Sequence, residues 1–386
     1  MSGPGELERR TRRRLAELEA GGLRRRLAPP RGIDFSSNDY LALARDPRLA
    51  RAFADAALRE GTGSTASRLL RGEREEFSAL ERRMAAFLGA EAALLFATGW
   101  AANLGLLAAF LDQGDVAFSD ERNHASLIDG MRLGRARRTV FPHRDVDALA
   151  RLLRRECGTG QAFVVTESLF SMDGDEAPLR ELAALCRETG AALVVDEAHA
   201  VGVFGATGAG LIEESGSRAD VFLSVLTGGK ALGAAGAFVA GPAWAIDWLI
   251  QRARPLVFST APPPALAAAL QASLDLVANE PERRARVLAG AALLRALLGE
   301  AGLAVLAGRS PVVPVLLGDH RRAVAVAARL QAEGFDVRAI RPPTVPPGTA
   351  RLRVSVHADH DEATLRTFAR ALVRAVGAER ACPATP

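Results

Sequence analysis

Through the middle of the chain, short runs rich in Val, Leu, Phe and Ala alternate with longer stretches in which apolar residues return every three to four positions. Such alternation predicts buried strands joined by amphipathic helices, the layout of a layered α/β sheet. The apolar runs predict strands at 93–96, 162–166, 192–196, 222–226 and 237–240. A helix is expected over 178–189, because Pro178 suits a first turn and Gly190 a C-terminal end. From 265 to about 306 the pattern is helical; it continues as a strand (312–317), a helix (321–333), a strand (337–340), a proline-rich turn, a strand (351–357) and a last helix from Glu362. The expected organisation is an N-terminal segment (1–45), a large domain (46–280) on a mostly parallel sheet and a smaller α+β domain (281–386). One uncharged stretch, 92–111, is long enough for a membrane span. Thr98, Gly99, Asn103 and Gly105 inside it favour instead a strand, a turn and a buried helix.

Composition narrows the function classes. Of 386 residues, 49% are hydrophobic and 24% charged, the balance of an ordinary globular protein. A net charge of +4 raises the question of nucleic acid, but the arginines are dispersed, aromatics make up only 5%, and no binding motif is present. The densest basic runs, Arg12–Arg14 and Arg24–Arg26, read as solvated helix faces. Cys157, Cys186 and Cys382 are too scattered for a disulfide framework or a metal site, so no metal is expected. The basic N-terminus is not followed by an apolar signal core, and the cytoplasm is the expected compartment.

The 49 basic residues include a single lysine, Lys230. Arginine keeps its proton, whereas a lysine amine can lose it and act as nucleophile or base, so Lys230 is the first candidate for covalent chemistry. It follows a strand in Leu-Thr-Gly-Gly-Lys, and Asp196 and His199 follow an earlier one in Val-Val-Asp-Glu-Ala-His. Open α/β sheets place ligands at such strand ends. The letters Asp-Glu-Ala-His also match a helicase box, but no phosphate loop accompanies them; Gly-Ala-Thr-Gly-Ala-Gly at 205–210 is a poor dinucleotide fingerprint. A lysine and an aspartate on neighbouring strand ends suit pyridoxal phosphate: the amine holds the cofactor as a Schiff base, and the carboxylate pairs with the ring nitrogen. His199 could donate to the ring's phenolic oxygen, and His124 could stack on the ring. Gly99 and Trp100, opening a helix after Thr98, could hold the phosphate with backbone amides, with Thr227 adding a hydroxyl.

Several long motifs then resemble, in order, the α-oxoamine synthases of the fold-type-I pyridoxal-phosphate enzymes. They are Phe-Ser-Ser-Asn-Asp-Tyr-Leu (35–41), Thr-Glu-Ser-Leu-Phe-Ser-Met-Asp-Gly-Asp (166–175) and Ile-Arg-Pro-Pro-Thr-Val-Pro-Pro-Gly-Thr-Ala-Arg-Leu-Arg (340–353). The last is most similar to the branch that condenses L-alanine with a pimeloyl thioester. The resemblance implies a seven-stranded-type sheet domain, and it makes Lys230 the cofactor lysine, Asp196 the ring-nitrogen partner, His199 the phenolic-oxygen donor and His124 the stacking ring. It puts Gly99, Trp100 and Thr227 at the phosphate, Glu167 and Ser171 near the reacting groups, and Arg353, assisted by Asn38, on the amino-acid carboxylate. It makes Arg24 a candidate for the distal carboxylate of the acyl chain. Ser259 and Thr260 would reach the phosphate of a neighbouring subunit, which implies a two-fold homodimer with shared sites. Asn123 before His-Ala-Ser, an arginine-bearing Gly-Ser-Thr-Ala-Ser-Arg-Leu-Leu-Arg-Gly (63–72) and Leu-Thr-Gly-Gly-Lys depart from the usual pattern. The alternatives are a glycine-using sister synthase and, more distantly, a non-catalytic subunit of the same fold.

Overall fold

The computed structural model describes residues 4–156 and 159–381, so Cys157 and Cys382 lie outside the described residues. The chain divides into two compact units, one of residues 38–289 with 357–359, the other of 1–37, 290–356 and 360–386.

The larger unit holds a seven-stranded sheet of β1 (Ala92–Phe96), β2 (Val116–Asp120), β3 (Arg137–Phe141), β4 (Ala162–Glu167), β5 (Ala192–Asp196), β6 (Val221–Thr227) and β7 (Ala237–Gly241). The strand order is β1-β7-β6-β5-β4-β2-β3, and only β7 runs antiparallel to the other six. Parallel strands need helical crossovers that cover both faces, which is why β4 and β5 read as unbroken apolar runs. β2 and β3 were not foreseen. β2 is short and ends in Ser-Asp, and β3 is an edge strand whose Arg137 and Arg138 face solvent, so neither reads as an apolar run.

The stretch 92–111 divides into β1 and α1 (Gly99–Phe110), and no helix among the described residues is long and apolar enough to cross a membrane. Thr98 caps α1, its hydroxyl accepting from Ala101 N at 3.1 Å. Leu106 and Leu107 pack under the sheet with Leu94, Val194, Val225 and Val239. A second helix, α2 (Ala125–Leu133), lies so close that a Cβ on its Gly130 would stand 2.8 Å from Asn103 O. The helix expected from 178 is α3 (Leu179–Thr189), which ends at Gly190 in the left-handed conformation. Its Cys186 is buried, and burial pushes the thiol up to about 12, which leaves it inert.

In the smaller unit, β8 (Val312–Gly318), β9 (Ala339–Ile340) and β10 (Ala350–Ser355) form an antiparallel sheet in the order β9-β10-β8. Ile33–Asp34 pairs in parallel with Phe335–Asp336, and Phe35 stacks on Phe368 at 3.9 Å. These contacts place residues 1–37 with the C-terminal residues, whereas the pattern had suggested a separate segment to 45. Arg12–Arg14 is exposed on the helix Pro4–Ala20, but Arg24–Arg26 is not helical: the helix stops at Gly21, and Gly22 has φ +65°.

Candidate active site

The C-terminal ends of β1, β4, β5 and β6 open on the same side of the sheet, and polar residues there meet around a cleft of about 210 Å³. Gly99, Trp100, His124, Glu167, Asp196, His199, Thr227 and Lys230, all expected from the sequence, line it.

Lys230 sits in a tight turn after β6. Gly228 N donates to Gly236 O at 2.9 Å and Ala234 N to Gly228 O at 2.8 Å. A Cβ on Gly228 would stand 2.2 Å from Ala235 O, so the glycine ahead of the lysine is a packing requirement. Lys230 Nζ lies 2.8 Å from His199 Nε2. The other ring nitrogen, Nδ1, is 2.7 Å from the Tyr40 hydroxyl, which is 3.2 Å from Asn38 Oδ1. His199 is thus held from behind through Nδ1 and turns Nε2 to the Lys230 amine in the cleft.

Asp196 is aimed by its surroundings. Its Oδ1 accepts from Ala198 N at 2.8 Å and its Oδ2 from Asn103 Nδ2 at 2.8 Å. The same Asn103 amide reaches Ser126 Oγ at 2.9 Å, and Ser126 Oγ lies 2.7 Å from His124 Nδ1. One buried asparagine thus links the carboxylate to the imidazole opposite. Burial, and then the Lys230 charge, lower the pKa of His124, while Asp196 opposes them. Glu167 accepts from His124 N at 2.6 Å. Burial, and then the Asp196 charge, hold its carboxyl well above the usual carboxylate range. Glu197 turns the other way and accepts from Leu211 N at 3.1 Å and Ile212 N at 3.3 Å, a scaffold role.

The first amides of α1, those of Gly99 and Trp100, have no acceptor within the helix and face the cleft as an anion site. Thr227 Oγ1 stands beside them, donating to Gly236 O at 3.2 Å and accepting from Gly229 N at 3.1 Å. The donor set fits pyridoxal phosphate: an amine, an anchored carboxylate, a flat imidazole on one side and an amide cradle at the end.

Other expected residues stand apart from this lining. Ser171 is half-buried in the loop after Glu167, and Asn38 is held at Tyr40. Ser259 and Thr260 are exposed. Their segment pairs with the arginine-bearing loop: Ser64 Oγ donates to Pro262 O at 2.6 Å and Ala261 N to Ala66 O at 2.9 Å. Arg68 in that loop is bound by Glu73 and by the half-buried Glu81, which explains the arginine there. Arg24 and Arg353 belong to the smaller unit. Arg24 is exposed and pairs with Glu19 at 3.0 Å; Arg353, buried on β10, donates to Ser355 Oγ at 2.9 Å.

The sequence reading missed Asn103, Ser126 and Tyr40. Asn103 had a signal, since it lies four residues after Gly99 on one helix face. Tyr40 is the chain's one tyrosine, as isolated as the one lysine.

Residues 30–372 match the family model of class I and II aminotransferases. An 8-amino-7-oxononanoate synthase of Anaeromyxobacter dehalogenans is 51% identical over 374 residues, covering 93% of each chain. One from Geobacter sulfurreducens is 49% identical over 341 residues, covering 88% of this chain and 87% of the relative. Among solved structures, a serine palmitoyltransferase from S. paucimobilis with a bound PLP-myriocin aldimine superposes with a TM-score of 0.91 at 28% identity, covering 99% of this chain and 100% of that one. The chain therefore belongs to the class I and II aminotransferase family and, within it, to the pyridoxal-phosphate-dependent 8-amino-7-oxononanoate synthases.

Proposed function

We propose that this protein joins L-alanine to a pimeloyl thioester, carried on coenzyme A or on a carrier protein, and releases 8-amino-7-oxononanoate, CO2 and the free thiol for biotin synthesis in the cytoplasm. One observation carries the reading: the Lys230 amine lies 2.8 Å from His199 Nε2, in the same cleft as an Asp196 carboxylate aimed by Asn103. Pyridoxal phosphate, when bound, supplies an electron-withdrawing ring that spreads the negative charge left at the amino acid's α-carbon.

The chain's residues do the rest. Lys230 Nζ holds the cofactor, and once released it takes the α-proton of L-alanine and returns one at the end. Asp196 keeps the ring nitrogen protonated, and Asn103 keeps Asp196 aimed. His124 would cover one face of the bound ring and exclude water from it, and His199 would donate to the phenolic oxygen. Gly99 and Trp100 hold the phosphate through their amides, with the Thr227 hydroxyl. Arg353 would grip the alanine carboxylate with its two-pronged guanidinium, assisted by Asn38, and so orient the bonds at the α-carbon. Ser171 and Glu167 stand near the reacting groups, and Arg24 takes the distal carboxylate of the pimeloyl chain.

A two-fold homodimer completes the site, with the partner subunit's Ser259 and Thr260 reaching the phosphate. Supporting it, Leu69, Leu70 and Phe258 are 52%, 82% and 72% exposed on the two paired segments that carry these residues, an apolar area suited to cover by a second copy.

Thiol release from pimeloyl-CoA by the cofactor-loaded protein tests the reading. Strong release with L-alanine and little with glycine is expected. Release favouring glycine, or none until the acyl group is changed, would assign the chain to a sister synthase.

A further inference from the structure

Behind the cleft, two carboxylates face one imidazole. Asp120, at the end of β2, accepts from Arg122 N at 2.8 Å and Arg144 N at 2.9 Å, and its Oδ1 lies 2.9 Å from His143 Nδ1. His143 Nε2 lies 2.7 Å from Asp175 Oδ2. The His143 side chain is only 10% exposed, with its edge against Phe170 at a centroid distance of 4.4 Å. Ionised carboxylates only accept, so both ring nitrogens carry protons and His143 is an imidazolium. Burial opposes that charge, but the hydrogen bonds to Asp120 and Asp175 outweigh it and raise the pKa to about 9. Arg144 also faces the bridge, 3.3 Å from Asp175 Oδ2.

The ends of the bridge lie on the two loops that serve the cleft. Asp120 opens the turn that delivers His124 four residues later, and Asn123 N closes it on Asp120 O at 3.2 Å. Asp175 lies four residues after Ser171 in a loop folded on itself, with Phe170 N donating to Asp175 O and Gly174 N to Phe170 O, both at 2.9 Å. A second tie joins the same loops, Arg122 Nη1 to Asp173 Oδ2 at 2.5 Å. An apolar contact could hold the loops together as firmly as an ion bridge. What the bridge adds is direction, because each N–H fixes the angle of one loop.

We propose that the Asp120–His143–Asp175 bridge is a positioning device for the condensation. It holds the His124 turn and the Ser171 loop at one separation and one angle, so that the ring-covering imidazole and the serine keep a single geometry. The inference rests on the proposed function for what the two loops do, but not for the identity of the acyl donor.

The test compares cofactor-loaded wild type with His143→Asn and Asp175→Asn, the second variant leaving the Asp120 end intact. In both, borohydride trapping at Lys230 stays complete. Thiol release with L-alanine falls roughly tenfold or more in kcat, with KM for alanine within about threefold. The visible circular dichroism of the bound cofactor falls about twofold, and amide exchange over 169–176 rises roughly tenfold, with or without cofactor. The double variant loses no more than the weaker single one, as expected of one coupled unit. A lowered melting temperature with dichroism, exchange and kcat near wild type would overturn the proposal and leave the bridge as scaffold. Failure of the proposed function reads differently: wild type would release no thiol with alanine, while the dichroism and exchange comparisons would still report on the bridge.

Discussion

A carboxylate serves a ring nitrogen only while it stays charged and keeps its aim, and here the second condition falls to Asn103. Its amide is shared between Asp196 and Ser126, at 2.8 and 2.9 Å. Removing it leaves a buried anion short of one donor, and a hydrogen bond to a charged group contributes about 1.5–3 kcal/mol. Asn103→Ala is therefore expected to lower kcat by roughly 10- to 100-fold and to weaken cofactor retention on dialysis. Unchanged kcat and retention would remove Asn103 from the account. Beside it, burial and then the Asp196 charge hold the Glu167 carboxyl above the usual carboxylate range, which favours its neutral form.

At the scale of loops and strands, the clearest pH dependence belongs to His143. Its pKa rises from 6.5 to about 9 on folding. The folded state thus holds the extra proton more tightly, and the stabilisation is fully present below pH 6.5 and is lost as pH rises through 9. The melting-temperature gap between wild type and His143→Asn should be widest near pH 6 and close by about pH 10. A gap that stays constant across that range would mean the imidazole is not charged. Little of this bridge was legible beforehand, because His143, Asp120 and Asp175 are distant in sequence and two of them lie on strands or turns without an apolar signature. Strands β4 to β7 were legible because burial on both faces leaves continuous apolar runs, and Lys230, Asp196 and His199 because they directly follow such runs. Trp100 and Gly99 were found through the helix start after Thr98. Asn103, one turn further into the same helix, was read as part of its buried body.

For the whole molecule, the dimer with shared sites makes a strong claim. Lys230→Ala and Thr260→Ala chains are each expected to be impaired alone. Hybrids made by mixing and refolding would carry one site with both wild-type residues, and activity should recover toward about half of wild type. No recovery in verified hybrids would mean each site is built from one chain. Single-chain patterns cannot reveal such sharing, since Ser259 and Thr260 are simply exposed residues on a segment paired with 64–66.

The central claim is that Lys230 holds the cofactor, and the composition makes it easy to test. With one lysine in 386 residues, the primary amines are its Nζ and the chain's terminal amine. Borohydride reduction of the loaded protein, followed by peptide mass mapping, should place one pyridoxyl group per chain on the peptide containing Lys230, and none on Lys230→Ala. A label on the terminal peptide, or a visible band that survives in Lys230→Ala and is still trapped, would contradict the account at its base.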